Sequence, residues 1–262
     1  MRIVVAATAP FGADVLERLA ARHEVVVLLT RPDNPAGRGR ILTPPAAKVT
    51  AERLGIPVIQ PARLTSQTEL PAETTVVVAY GLLIPAALLD RGLWLNVHPS
   101  LLPRWRGAAP VERAILAGDE ETGVTVHQTV EALDAGPIAA MKEIWLSPEW
   151  NAGDVYLHAA PVAEALVDEA LGEPSFTPQS EVGVTYADKI TAADRELDLS
   201  DPLDAWRRIR ALSPHIGARG ELHGRRVTIW RARLEVGKLV PVEVQPEGKR
   251  RMSYDEFARG LR

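Results

Sequence analysis

Leu93-Trp94-Leu95-Asn96-Val97-His98-Pro99-Ser100-Leu101-Leu102-Pro103 is the stretch from which the rest of the chain can be read. Leu93, Leu95 and Val97 alternate with Trp94, Asn96 and His98, the two-residue period of a strand. Asn96 and His98 therefore project from one face. Pro99 ends the strand, because a proline lacks a ladder donor and the residue before it stays extended. An amide donor and a titratable imidazole thus stand at a strand's carboxyl end, where open α/β sheets bind ligands.

Working outward, apolar runs at 2–7, 24–30, 57–60 and 75–80 predict further short strands, rich in Val, Ile and Leu as in a sheet buried on both faces. Helical patterns over 11–22, 45–54 and 85–90 separate them, and this alternation predicts a doubly wound, mostly parallel α/β sheet. After the first strand comes Ala7-Thr8-Ala9-Pro10-Phe11-Gly12, which lacks the G-x-G-x-x-G pattern and so disfavours a dinucleotide cofactor. Downstream, a helix over 108–117 stops at Gly118. Strands over 122–129 and 137–145 then enclose a loop with Leu133-Asp134-Ala135-Gly136-Pro137, and a long helix covers 151–171. Asp134 sits among apolar and small residues, so its carboxylate is expected to be partly buried and to need a partner; His98 is the candidate. His127 shares strand parity with Thr125 and Thr129, while His23, His158 and His215 show no metal-ligand pattern.

A chain of 262 residues suits two modest domains. The boundaries predicted are 1–172, a Pro-containing linker at 173–184, and 185–262. In the last part a helix at 202–212 and strands at 217–222, 225–232 and 239–245 predict a small β-barrel of the open, oligonucleotide-binding kind. The absence of cysteine excludes disulfides, thiol nucleophiles and thiolate metal sites, and no metal is expected. No apolar run approaches the roughly 18 residues of a membrane helix, and the N-terminus runs directly into a strand pattern; the expectation is a cytoplasmic monomer. The net charge of −4 hides an asymmetry. Residues 206–262 carry 14 Lys and Arg against 6 Asp and Glu, and the rest carry 16 against 28. A basic C-terminal part suggests a nucleic-acid surface.

Taken together, Asn96-x-His98-x-Ser100-Leu101-Leu102-Pro103, Arg106-Gly107-x-x-Pro110, Gly123-x-Thr125 and Asp134-x-Gly136 resemble the signature of the folate-dependent formyltransferases. Thr30-Arg31-Pro32-Asp33-Asn34-Pro35-Ala36-Gly37-Arg38-Gly39-Arg40 is punctuated too heavily by Gly and Pro for a helix or a central strand. It is similar to the basic insertion loop of the members that formylate methionyl-tRNA, and Val184-Thr185-Tyr186-Ala187-Asp188-Lys189-Ile190 also looks like that branch. The resemblance covers nearly the whole chain. It implies a Rossmann-like sheet followed by a small β-barrel, shortened here because Arg233–Leu239 replaces a longer two-strand stretch of the family.

By that resemblance the chain moves a formyl group from 10-formyltetrahydrofolate, as co-substrate, to the α-amino group of initiator methionyl-tRNA. His98 would be the base, Asn96 the donor to the developing oxyanion, and Asp134 the carboxylate that orients the imidazole and favours its charged form. Ser100, Leu101, Leu102 and Pro103 would contact the folate, with Val78–Pro85 on the pterin side. Arg104 and Arg106 would be offered to a phosphate or to the folate's glutamate tail. Arg38 and Arg40 would meet the acceptor end of the tRNA. Two other assignments use the same residues: a sugar-nucleotide N-formyltransferase, and an RNA-binding relative without catalysis.

Overall fold

The computed structural model describes residues 1–36, 39–172 and 174–261. They divide into two compact units that alternate along the sequence: 1–106, 123–144 and 157–185 form the first, and 107–122, 145–156 and the chain from Tyr186 onward form the second.

The first unit is built on a seven-stranded sheet. Its strands lie in the order Ile138–Trp145, Glu121–Gln128, Leu93–His98, Thr74–Val78, Arg2–Ala7, Glu24–Leu29 and Val58–Ile59. The five from Leu93–His98 to Val58–Ile59 are parallel; the inner ones carry the largely buried Val-, Ile- and Leu-rich runs usual for such sheets, while Ile59 at the edge is exposed. Val4, Ala6, Leu29, Val77, Tyr80, Leu88 and Trp94 pack together on one side of it. Burying each large side chain of this kind is worth about 1.5–3 kcal/mol. Glu121–Gln128 then runs antiparallel to Leu93–His98, with Asn96 opposite His127 and His98 opposite Thr125. Two pairs of chemically capable side chains are thereby set on one face, beside the carboxyl ends of the parallel strands.

The Gly- and Pro-rich segment after residue 30 stays out of the central sheet, and part of it folds on itself: Asn34–Ala36 pairs with Ile41–Thr43 as a separate two-stranded ribbon. Arg40 is exposed, with φ at +47°; Gly37 and Arg38 lie outside the described residues.

In the second unit, the small barrel expected from the sequence takes the form of a four-stranded antiparallel sheet in the order Ala218–Leu222, Arg225–Glu235, Lys238–Pro246, Met252–Ser253. The strand expected to end near 232 continues to Glu235, and Arg233–Leu239 is a tight hairpin rather than a bare connection. Val236 and Gly237 both have positive φ, which gives the two-residue turn a twist that matches the strands. Helix Pro202–Leu212 packs on the Arg225–Glu235 strand and on helix Pro110–Ala117. Arg113 of the latter helix forks onto Asp194 at 2.8 and 3.2 Å and donates to the carbonyls of Asp188 and Lys189. That guanidinium, with the hydroxyl and amide of Thr191, holds the Asp194 carboxyl down to about 2.

The tail forms a short helix, Tyr254–Arg259, that the sequence pattern did not predict. Its signal was nonetheless present, since Ser253 and Glu256 stand at capping-box spacing. The Ser253 hydroxyl accepts from the Glu256 amide at 3.2 Å. Ser253→Ala should remove about 1 kcal/mol from this helix. Hydrogen exchange would read the loss as faster exchange confined to Tyr254–Arg259, and unchanged exchange there would refute the cap.

Candidate active site

Asn96, His98, Thr125 and His127 come from one antiparallel pair of strands, and the loop between Gln128 and Ile138 carries Asp134 over them. His98 is buried, with 4% of its surface exposed. Its Nε2 lies 2.8 Å from the Trp105 carbonyl, which can only accept, so Nε2 carries a proton. Its Nδ1 faces Asp134 Oδ2 at 3.7 Å, close enough for charge attraction but longer than a hydrogen bond. The tautomer of His98 is therefore set by the Trp105 backbone rather than by Asp134. Burial pushes the imidazole below its ordinary pKa; the Asp134 carboxylate, as the next largest influence, pulls it up. His98 accordingly presents a neutral Nδ1 at neutral pH.

Asn96 and His127 share a second set of bonds. The Asn96 amide donates to Asp134 Oδ1 at 3.1 Å and approaches His127 Nε2 at 3.0 Å. His127 Nδ1 is 2.9 Å from its neighbour's carbonyl, at Gln128, and must be the protonated nitrogen, leaving Nε2 to accept from Asn96. Both amide hydrogens of Asn96 are thus directed at protein acceptors. To serve an oxyanion, one of them must leave Asp134 or His127 for the substrate oxygen. Strand parity alone placed His127 on this face; the cross-strand register is what brings it onto Asn96.

The Ser100–Pro103 turn is held from within. The Thr125 hydroxyl donates to the Ser100 carbonyl at 2.7 Å and accepts from the Leu102 amide at 3.2 Å, while the Ser100 hydroxyl donates to the Arg104 carbonyl at 2.7 Å. Ser100 and Leu102 are buried anchors, whereas Leu101 and Pro103 keep part of their surface open. An apolar edge with nearby backbone groups suits a flat heteroaromatic ring such as a pterin. Arg104 lies over the Trp105 ring at 4.4 Å. Arg106 is buried, and its guanidinium meets Gln179 Oε1 through Nε at 3.1 Å and Nη2 at 2.7 Å. Trp105 adopts φ +65°, an uncommon conformation for a bulky residue. Its amide donates to the Thr185 hydroxyl at 2.9 Å, and the Arg106 amide donates to the Thr185 carbonyl at 2.9 Å, which helps to hold that shape. No group of three or more His, Cys, Asp and Glu among the described residues is arranged to hold a metal ion.

Asp134 is itself in the left-handed region, φ +47°, which Asp tolerates better than most residues. Two residues on, a Cβ on Gly136 would lie 1.7 Å from the Gln128 carbonyl oxygen. Gly136→Ala should therefore displace the loop and with it the carboxylate. The expected outcome is a lowered Tm together with a changed His98 imidazole signal by NMR; an unperturbed His98 would refute the link.

The formyl transferase family model matches residues 1–171. Over its full length the chain is 42% identical to the methionyl-tRNA formyltransferase of Cereibacter sphaeroides, with 96% of that relative covered, and 39% identical to that of Paracoccus denitrificans, with 98% covered. The first alignment spans 292 positions against a chain of 262, so the relative carries stretches absent here. Among solved structures, methionyl-tRNA formyltransferase from Clostridium thermocellum superposes with a TM-score of 0.67 at 15% identity, covering 94% of this chain and 98% of that one. WlaRD, a sugar 3N-formyl transferase, superposes with a TM-score of 0.69 at 13% identity, covering 95% and 99%. These structural likenesses share the fold, and the sequence likeness is much stronger on the tRNA-enzyme side. The chain belongs to the formyl transferase family, among the methionyl-tRNA formyltransferases.

Proposed function

We propose that the protein transfers a formyl group from 10-formyltetrahydrofolate to the α-amino group of the methionine carried by initiator tRNA. The observation that carries this reading is the meeting of an amide and a neutral imidazole from one strand with a carboxylate from a distant loop, each within 3.7 Å of a neighbour, beside the Ser100–Pro103 turn. Relatives at 38–43% identity bearing the methionyl-tRNA formyltransferase name support the acceptor.

The reaction forms a bond from the amine nitrogen to the formyl carbon and breaks the bond from that carbon to the folate nitrogen. One proton moves from the amine to the departing nitrogen, and the formyl oxygen carries negative charge in between. His98 Nδ1 takes the proton, since Nε2 is committed to Trp105. Asp134 stabilises the imidazolium so formed, and Asn96 releases one amide hydrogen to the oxygen. A donor of that kind is typically worth about 100- to 1,000-fold in rate. Leu101 and Pro103 line the folate ring, with Ser100 and Leu102 keeping the turn in shape.

Residues 1–172 supply the chemistry in this reading, 173–184 act as a linker, and 185–262, with their excess of Lys and Arg, face the tRNA phosphates. Arg38 and Arg40 contact the acceptor end. The protein acts as a cytoplasmic monomer; no described helix is long and apolar enough to cross a membrane.

Parallel formyl-transfer assays with methionyl-tRNA and with an amino-sugar nucleotide test the acceptor: turnover is expected with the first only. Turnover with the sugar alone would replace this reading, and none with either would favour a binding protein. His98→Ala should lower kcat about 100- to 10,000-fold while the protein stays folded. For the wild type, burial of His98 keeps the acid limb of the rate profile below about pH 6.5, the ordinary imidazole value. Asp134→Asn removes the carboxylate that counteracts burial, so that limb should move to still lower pH as the plateau falls. A shift to higher pH would contradict the assigned roles. Arg38→Ala should raise KM for tRNA and reduce the salt dependence of its binding, with kcat little changed.

A further inference from the structure

We infer that Gln179, from the segment linking the two predicted domains, is a positioning residue that sets the geometry of His98. Its amide is used completely. Nε2 donates to the carbonyls of Asp134 and Gly136, each at 2.8 Å. Oε1 accepts both Nε and Nη2 of Arg106, at 3.1 and 2.7 Å. The reverse amide orientation would set an oxygen against two carbonyls and an NH2 against a guanidinium, so the partners leave one arrangement.

The chain positions joined by these bonds matter more than their number. His98 is held at Nε2 by the carbonyl of Trp105, the residue just before Arg106, and is faced at Nδ1 by Asp134. Gln179 bonds the Arg106 side chain on one flank and the Asp134 main chain on the other. The contacts therefore close a ring: His98, Trp105, Arg106, Gln179, Asp134 and back to His98. Asp134 and Trp105 both sit at positive φ, so the two flanks are conformations that depend on outside support. Gln179 spans them and fixes the separation between the group that sets the tautomer of His98 and the carboxylate that stabilises its charge. Among the described residues, the other titratable side chain facing His98 is His127, whose ring centroid is 6.4 Å away and whose own bonds do not involve Gln179.

The consequence for catalysis rests on the proposed formyl transfer; the consequence for His98 does not. Gln179→Met keeps the length of the side chain and removes all four bonds. Expected for this variant is a fall in kcat of about 10- to 100-fold, as displacement of a supporting group typically causes. KM for formyl donor and for methionyl-tRNA should change less than kcat. Gln179→Glu retains a partner for Arg106 but turns a carboxylate on the Asp134 and Gly136 carbonyls, and should fall as far. In Gln179→Met, which adds no charge, the acid limb of the rate profile should move down in pH, because the Asp134 carboxylate supports the imidazolium less. A 15N NMR titration of His98, its signals identified by comparison with His98→Gln, should show the same shift without any substrate. Thermal melting records the structural cost separately. An unchanged His98 titration in a folded Gln179→Met protein would overturn the clamp, as would a kcat that falls only in step with the folded fraction. A wild type inactive on methionyl-tRNA would sink the proposed function alone, with the titration still deciding the role of Gln179.

Discussion

A buried imidazole facing a nearly buried carboxylate is the constraint that organises this protein. Polar groups removed from water need partners, and each unmet one costs on the order of 1–3 kcal/mol. Around His98 the protein meets that demand with backbone and neutral amides as much as with charge. Trp105 contributes a carbonyl, Asn96 bridges Asp134 and His127, and Gln128 fixes the tautomer of His127. Because each bond restricts the rotation of the next residue, these contacts define one arrangement, from which the Asn96 amide turns when it serves a substrate oxygen.

The sheet makes this possible by reversing direction at the right place. Parallel strands deliver the carboxyl end of Leu93–His98 to the edge where ligands enter such folds. An antiparallel neighbour then sets Thr125 and His127 directly across from His98 and Asn96. Thr125 uses that position to pin the Ser100–Pro103 turn, so the strand pair supports both His98 and the turn that follows it.

Arginines divide between structure and surface in a way that composition does not reveal. Arg106, offered in the sequence reading to a phosphate or a glutamate tail, is buried and engaged by Gln179. Arg113 is spent on Asp194 and two carbonyls. Arg40 is exposed on its ribbon, and many of the C-terminal arginines, including Arg225 and Arg231, also face solvent, while the exposed Arg226 is paired with Glu196. The basic excess of the C-terminal part is thus divided between exposed side chains and side chains paired with carboxylates or carbonyls, as at Arg210, Arg226 and Arg251.

Much of this was legible along the chain. Two-residue alternation with a terminating proline marked Leu93–His98, continuous apolar runs marked the parallel strands, and Asn96, His98 and Asp134 stood out because polar residues among apolar ones require a reason. Local pattern carries such information because strand parity and burial are properties of a few adjacent residues. Other features came from contacts between distant segments, which no local pattern encodes. The tautomer of His98 depends on a carbonyl seven residues on, presented by a backbone at positive φ. The engagement of His127 depends on cross-strand register, the hairpin at Val236–Gly237 on pairing beyond the predicted strand end, and Gln179 on a loop and an arginine more than 40 residues away. Periodicity could say which way a side chain points; only the folded chain decided what it meets.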